Sequence, residues 1–552
     1  MRRLLVAHCL LLVLLASSWP LLHSGFFRVH DYTHGARIAE LSRAVGDGHV
    51  PPHWSKNFGY GYGMPLFLFY APLPYYFGAL VFWFSGSVIA SVSAIFLLAN
   101  VATILGAYFL GKRLFGSLGG VLLAAAITLA PYRAVNLFIR GAVSETWGMA
   151  AGIWMLLGLV LVVKKQRAGW LVLCLSTTAL LLSHNLITLI FLPFFGMFAL
   201  GLIVYQKAWK QVLPVISSCL LGIGISAYYI LPAFIEKSAT QVEERILTQY
   251  FDFHLHFLYL RQFVTSYWGY GGSVWGPHDD ISFFFGYGML LGLAIASFVV
   301  FRQYRQKKPV TTWLVVIFGL SLGLSVMAIL MSTEKTLLLW ERVSLLRFVQ
   351  FPWRFLSVAI VFFSLALTSG IMCLPSRRSR LVTAGILFAI LLSNWRYFRP
   401  ESYLVSPETL YSAEERQVAQ TMSGILPDYL PQGFDETALP VNLASVVREP
   451  KLSPDSVLVN HVQEKLVSVT FATARELVFA LADFPGWRVE IDGKPVSHTT
   501  TIEGLITATI PAGSHLVGVR FLPTPVRVVA NSISALCLLM LFAFILNQER
   551  KR

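Results

Sequence analysis

Three short stretches gather residues that can move a proton or grip an anion. "RVHDYTHGARIAE", residues 28–40, sets Asp31 between His30 and His34, and "RGAVSETWGM", residues 140–149, sets Arg140 five positions before Glu145. "LRFVQFPWRF", residues 346–355, ends on Trp353-Arg354-Phe355. A carboxylate at a protein–membrane boundary can act as a general base, and a guanidinium fork can hold a phosphate bidentately. Asp31 and Glu145 are therefore the candidate acids and bases, with Arg140 and Arg354 as phosphate contacts. His34, His184 and Tyr70 are further candidates for substrate binding. His30 and His34, with Asp31, could also hold a divalent metal, although no ligand beyond these is evident. Each feature also has a structural alternative. Asp31 could cap a helix, Ser144 and Glu145 could complete a helix N-terminus, Trp353 and Arg354 could anchor at a membrane interface, and His184-Asn185 could satisfy helix ends.

These residues sit in a chain that is 56% hydrophobic and 13% charged over 552 residues, which excludes a water-soluble globule for most of its length. The net charge of +15 does not indicate nucleic acid, because Lys and Arg fall in short runs between apolar stretches, the pattern of cytoplasmic loops. The five Cys all lie inside apolar stretches without a CxxC pair, so neither a disulfide framework nor a cysteine metal site is expected. Residues 4–22 follow Arg2 and Arg3, are long enough to span and lack a small-residue cleavage site. They are read as a retained signal anchor.

The positive-inside rule orients the rest. Clusters at Arg2/Arg3, Lys112/Arg113, Lys164/Lys165/Arg167, Lys207/Lys210, Arg302/Arg305/Lys307/Lys308, Arg377/Arg378/Arg380 and Arg550/Lys551/Arg552 all become cytoplasmic in one threading of about twelve spans. Both termini are then cytoplasmic. "GYGYGMPLFLFYAPLPYYFG", residues 59–78, must enter and leave on the same side, and its Gly and Pro residues suit a broken, re-entrant segment. The outer face carries residues 23–87, 233–282, 333–354 and 399–525. Its aromatics, Tyr60, Tyr62, Tyr70, Tyr75, Tyr76, Trp268, Tyr270 and Trp275 among them, can stack on sugar, line a lipid groove or form an interfacial belt. A helix over 31–45 would put Asp31, His34, Ile38, Leu41 and Val45 on one face, with Glu40 and Arg43 away from it.

The final outer piece changes character. "LVSVTFAT", "ELVFALAD", "WRVEIDG" and "HLVGVRFL" alternate apolar and polar residues between turns such as Asp492-Gly493 and Pro511-Ala512-Gly513, predicting a small β-sandwich over 430–525. The expected architecture is a polytopic α-helical membrane domain at 1–398, with an outer loop at 23–87. An extracytoplasmic β-rich domain at 399–525 follows, then a last span with a basic tail at 526–552. The outer pieces lack an Asn-x-Ser/Thr acceptor, which favours a bacterial cytoplasmic membrane.

At "HDYTHGARIAELSRAVGDGHVPPHW", "GYGYGMPLFLFYAPLPYY", "RGAVSETWG" and "FPWRF" the chain resembles the bacterial membrane family labelled 6-pyruvoyl-tetrahydropterin synthase-related, which is grouped with GT-C fold glycosyltransferases. "DYLP" at 428–431 and "FPGWRVEIDGKPV" with "IPAGSH" are similar to the tail domain of YfhO-like membrane proteins. Nothing in the sequence reproduces the zinc-binding His set and catalytic Cys of the soluble pterin synthase, so the label implies no pterin chemistry. The GT-C resemblance implies a polyprenyl-phosphate-linked sugar donor, an acid in the first outer loop and inverting transfer on the outer face to an envelope glycan or protein. By position Asp31 matches that acid, Glu145 a second, and Arg354 or Arg140 a phosphate contact. A single Asp stands where an Asp-Asp or Asp-x-Asp pair would mark a metal site, so the cofactor is left open.

Three functions fit. A glycosyltransferase explains why charge gathers at one rim. A transporter or flippase of lipid-linked saccharides would show ionisable residues near mid-membrane and broken spans in corresponding halves, and no such pairing is seen. A non-catalytic assembly or glycan-binding protein would tolerate substitution of Asp31 and Glu145.

Overall fold

The computed structural model describes residues 2–550 apart from 24, 247–248, 307–311, 426 and 444. The basic residues Lys307, Lys308, Lys551 and Arg552 lie outside that set. By contacts the chain gathers into two units, each drawing on separate stretches: 1–32, 93–223 and 247–407 in the first, and 33–92, 224–246 and 408–552 in the second.

Among the described residues, eight helices are long and apolar enough to cross a membrane. There are nine if the bent pair Trp209–Ile225 and Ala227–Ile235 counts as one span. The chain is a multi-pass membrane protein, with fewer unambiguous spans than the twelve expected. The difference has local causes. The expected spans at 88–110 and 115–133 begin as one helical run, Val88–Thr128, broken where Gly116 takes φ 82°. Its two arms fold back, since a Cβ on Gly111 would lie 2.8 Å from Gly120 Cα. The expected span at 169–183 is a 16-residue helix, Ala168–Ser183, short for a bilayer of about 30 Å.

Two helices of the first unit are buried on every side. The most apolar window of Val143–Val163 is 89% buried and that of Pro352–Met372 is 94% buried. Both are apolar all round rather than striped, which is how a helix surrounded by others reads. Glycines let neighbours close in: Gly158 meets the Leu173 backbone, Gly169 meets Val162, and Gly370 meets Ala296. The stretches that open the site begin sharply, because Pro131 and Pro352 occupy first helical positions where no amide hydrogen is needed.

In the second unit the helix of the opening stretch runs His34–Gly46 and packs on Leu73–Ser85. It starts three residues later than the expected 31–45, so Asp31 is not on its face. Thr33, not Asp31, holds the capping position, without a side-chain cap bond. Glu40, expected to point away, is 1% exposed, accepting from Ser55, Asn57 and Arg43. A buried carboxylate needs such donors, and the turn at 55–57 supplies them. The segment 59–78 folds as a tight turn, a single helical turn Leu66–Phe69 and the start of Leu73–Ser85.

Among the described residues the β-rich part has nine strands: β1 Val447–Glu449, β2 Val457–Asn460, β3 Glu464–Phe471, β4 Arg475–Ala482, β5 Trp487–Ile491, β6 Lys494–Val496, β7 Thr499–Thr500, β8 Leu505–Ile510 and β9 Gly513–Phe521. They form two antiparallel sheets, ordered β1-β4-β8-β7 and β2-β3-β9-β5-β6. Asp492-Gly493 make the two-residue hairpin between β5 and β6, both at positive φ. The register Glu464↔Arg520 through Phe471↔Gly513 fixes β3 on β9 and buries Val467, Val469, Val517 and Val519. Residues 47–64 pack against this sandwich. Asp47 accepts from the Val462 amide at 2.7 Å, and Trp54 sits among Phe484, Trp487 and Phe521.

Candidate functional site

The site of the first unit is built on one turn of chain. Pro131–Phe138 is helical, Gly141 reverses the path at φ 67°, and Val143–Val163 begins. The helical repeat places Tyr132, Asn136 and Arg140 in one row, four residues apart, and the reversal brings Glu145 onto that row from the first turn of the next helix. Glu145 is 1% exposed. Its Oε1 accepts from Tyr132 at 2.8 Å, Asn136 at 3.2 Å and Ser357 at 2.6 Å. Its Oε2 accepts from Arg140 Nη1 at 2.7 Å and faces Arg354 Nε at 4.0 Å. The carboxylate is thereby satisfied on both oxygens and also lies at the positive end of its helix.

The two arginines are held as firmly. Arg140 Nη1 also donates to Asn136 Oδ1 at 2.6 Å, and its guanidinium lies 4.5 Å from the centre of the Trp353 ring system. Arg354 Nη1 donates to the Val349 carbonyl at 2.6 Å and to Gln350 Oε1 at 2.8 Å. Trp353 in turn donates to Ser273 Oγ at 3.2 Å, which is 3.0 Å from His256 Nδ1. A loop at 249–285 is thus pinned to the site through one indole.

Asp31 joins the same place by its backbone. Its amide donates to the Arg140 carbonyl at 3.0 Å, and the His30 amide donates to Ile139 O at 2.9 Å, so residues 29–31 run alongside 139–141. Gly141 is required there: a Cβ would stand 2.4 Å from Val29 Cγ2 and 3.1 Å from Asp31 O. Asp31 itself is half-buried.

Of the residues singled out in the sequence, Arg140, Glu145 and Arg354 converge in the first unit, and Asp31 reaches them through its backbone amide. His184 caps the helix Asn185–Gln206, its Nδ1 accepting the Leu186 and Ile187 amides at 3.1 Å each, as the helix-end alternative expects. His34 and Tyr70 belong to the second unit, where both meet Arg37 and Tyr75. His34 Nδ1 lies 2.9 Å from Tyr75 Oη, and Arg37 donates to Tyr70 Oη at 3.0 Å, stacking 4.1 Å over its ring. His30 Nε2 lies 2.9 Å from the Tyr270 carbonyl. Among the described residues, no group of three or more His, Cys, Asp or Glu is placed to hold a metal ion. Sequence reasoning missed Tyr132, Asn136 and Ser357. The four-residue spacing of Tyr132, Asn136 and Arg140 was the available signal, whereas Ser357 lies 212 residues from its partner and left none.

The fold and this site define a polytopic helical membrane protein with a fully satisfied buried carboxylate clamped by two arginines. The chain belongs to the membrane-protein family described as 6-pyruvoyl-tetrahydropterin synthase related domain, whose model matches residues 67–400. It is similar, at 26% identity over 239 residues, to an uncharacterised protein of Lactococcus lactis subsp. cremoris (strain MG1363). That alignment covers 40% of this chain and 38% of the relative. Among solved structures it is similar to the arabinofuranosyltransferase AftD from Mycobacteria, at 15% identity and a TM-score of 0.40, covering 73% of this chain and 27% of the other. It is also similar to the oligosaccharyltransferase of Archaeoglobus fulgidus, at 12% identity and a TM-score of 0.40, covering 75% and 56%.

Proposed function

We propose that this protein is a GT-C-like glycosyltransferase of the bacterial cytoplasmic membrane, moving a sugar from a polyprenyl-phosphate-linked donor to an envelope acceptor on the extracytoplasmic face. The observation that carries the reading is the Arg140–Glu145–Arg354 clamp, with the Asp31 backbone joined to that of Arg140. In this reading residues 1–398 form the catalytic body, 399–525 an outer β-rich domain and 526–552 a last span with a cytoplasmic tail. Asp31 takes the proton of the acceptor hydroxyl as its oxygen attacks the anomeric carbon. The bond from that carbon to the phosphate oxygen breaks, and the phosphate leaves with the electron pair towards Arg140 and Arg354.

The geometry supports a division of labour between the two acids. Glu145 already accepts three neutral hydrogen bonds and an arginine pair, so its lone pairs are committed. Its role is to position the arginines, and the half-buried Asp31 is the base. A cleft of about 350 Å³ bordered by Arg261, Gln262, Tyr267, Asp279 and Phe283 suits a saccharide acceptor, mixing charge, amide and ring. It adjoins the clamp, since the Phe283 ring lies 5.5 Å from Trp353.

The test is transfer of radiolabelled sugar from a panel of polyprenyl-phosphate donors by the purified full chain. Transfer by the wild type, with a loss of about a hundredfold or more in Asp31→Asn at unchanged thermal stability, supports the reading. Equal rates in both proteins remove Asp31 as the base. Absence of transfer from every donor, with saccharide binding intact, favours transport or scaffolding.

A further inference from the structure

A second feature of the first unit lies apart from the carboxylate clamp. A groove of about 1100 Å³ runs between the N-terminal helix, the hairpin about Gly116 and the helix Ser376–Asn394. Three cations line it, Arg3, Lys112 and Arg380, each from a different basic cluster and separated by more than a hundred residues in the chain. All three are exposed, and none forms an ion pair with a described residue. Among the described residues, no carboxylate lines the groove.

The lining is ordered along each helix. Arg3 stands at the start of its helix, with Val6 and Cys9 one and two turns further in. Arg380 stands near the start of Ser376–Asn394, with Thr383 and Leu387 one and two turns further in. Leu118 and Val121 descend likewise from the hairpin that carries Lys112. Hydroxyls of Ser117, Ser376 and Ser379 lie among the cations. A site with a cationic, hydroxyl-bearing end and an apolar continuation between helices is complementary to a phosphate headgroup with acyl chains. The positive-inside rule assigns all three clusters to the cytoplasmic side, whose leaflet holds anionic lipid.

We propose that this groove is a binding site for an anionic glycerophospholipid of the cytoplasmic leaflet, with Arg3, Lys112 and Arg380 receiving the headgroup phosphate. The site owes nothing to the transferase reading and sits on different residues. Neutral lipid fills the same apolar surface without using the cations, so headgroup selectivity is the property that distinguishes the two.

The experiment is a thermal melt of the purified full chain in neutral detergent with phosphatidylglycerol or phosphatidylcholine of the same acyl chains. Co-purified lipid is measured by mass spectrometry in parallel. Phosphatidylglycerol should bind at least tenfold more tightly than phosphatidylcholine, and the combined Arg3→Gln, Lys112→Gln, Arg380→Gln variant should lose that preference. Single Gln variants should each reduce it several-fold, and Lys112→Arg should retain it, which keeps the test intact if the triple variant fails to fold. Equal stabilisation by both lipids, or selectivity surviving in the variants, overturns the proposal. Equal protection by inorganic phosphate at the same phosphate concentration overturns the lipid as its source.

Discussion

The backbone amide of Asp31 donates to the carbonyl of Arg140 at 3.0 Å, joining the candidate base to the residue that clamps Glu145. One hydrogen bond between segments 109 residues apart ties the backbone of Asp31 to that of Arg140.

That junction depends on Gly141. Its φ of 67° and the 2.4 Å that would separate a Cβ from Val29 leave no room for a side chain. Gly141→Ala should cost about 1–3 kcal/mol through the left-handed backbone and the displaced Val29 strand. Activity should fall further than stability, because the strand carries Asp31. Denaturant unfolding compared with transfer rate checks this, and a fall in stability alone would show that the strand does not set the base.

Removing the carboxylate of the clamp should be the most damaging single change in the first unit. Glu145→Ala leaves Arg140 buried without its charge partner and Tyr132, Asn136 and Ser357 without an acceptor. A loss of about 3–5 kcal/mol is expected for breaking one member of a buried ion pair. A melting temperature within a degree of wild type would mean that Glu145 does not organise the arginines.

The aromatic pin is separable from the clamp. Trp353→Phe removes the hydrogen bond to Ser273 while keeping a ring beside Arg140. It should raise the KM for the acceptor several-fold with little change in kcat, because it frees the 249–285 loop rather than the reacting groups. An unchanged KM with a reduced kcat would place Trp353 in the chemistry instead.

The second unit carries a pH signature. Lys465 on β3 is 6% exposed, its ammonium donating to Asn460 Oδ1 and His461 O at 2.6 Å each. Burial, with the Lys56 charge nearby, pushes its pKa down to about 7. An unfolded lysine titrates near 10.4, so between about pH 7 and 10 the unfolded chain binds more protons there than the folded one. Stability attributable to this group therefore rises with pH across that window, and its destabilising effect is full below about 7. Thermal melts of wild type and Lys465→Met from pH 6 to 10 should differ in slope, the variant lacking the rise. Parallel curves would show that Lys465 keeps its charge throughout.

Composition and residue order alone determined that this chain lives in a membrane, that its tail is β-rich and where polar residues cluster. Each follows from local physics, since apolar length, period-two alternation and Asp-Gly turns act over a few residues. Arg140 and Glu145 were legible because five residues and one reversal join them. What only the tertiary structure decided is which distant segments meet. Ser357 reaches Glu145 across 212 residues, and the helix of the opening stretch starts at His34 rather than at Asp31. Glu40, polar by type, is inside because Ser55 and Asn57 wait there to donate to it. A sequence states what each side chain needs, whereas packing among helices that are apolar all round decides which remote partner supplies it, since no stripe on such helices points to a neighbour.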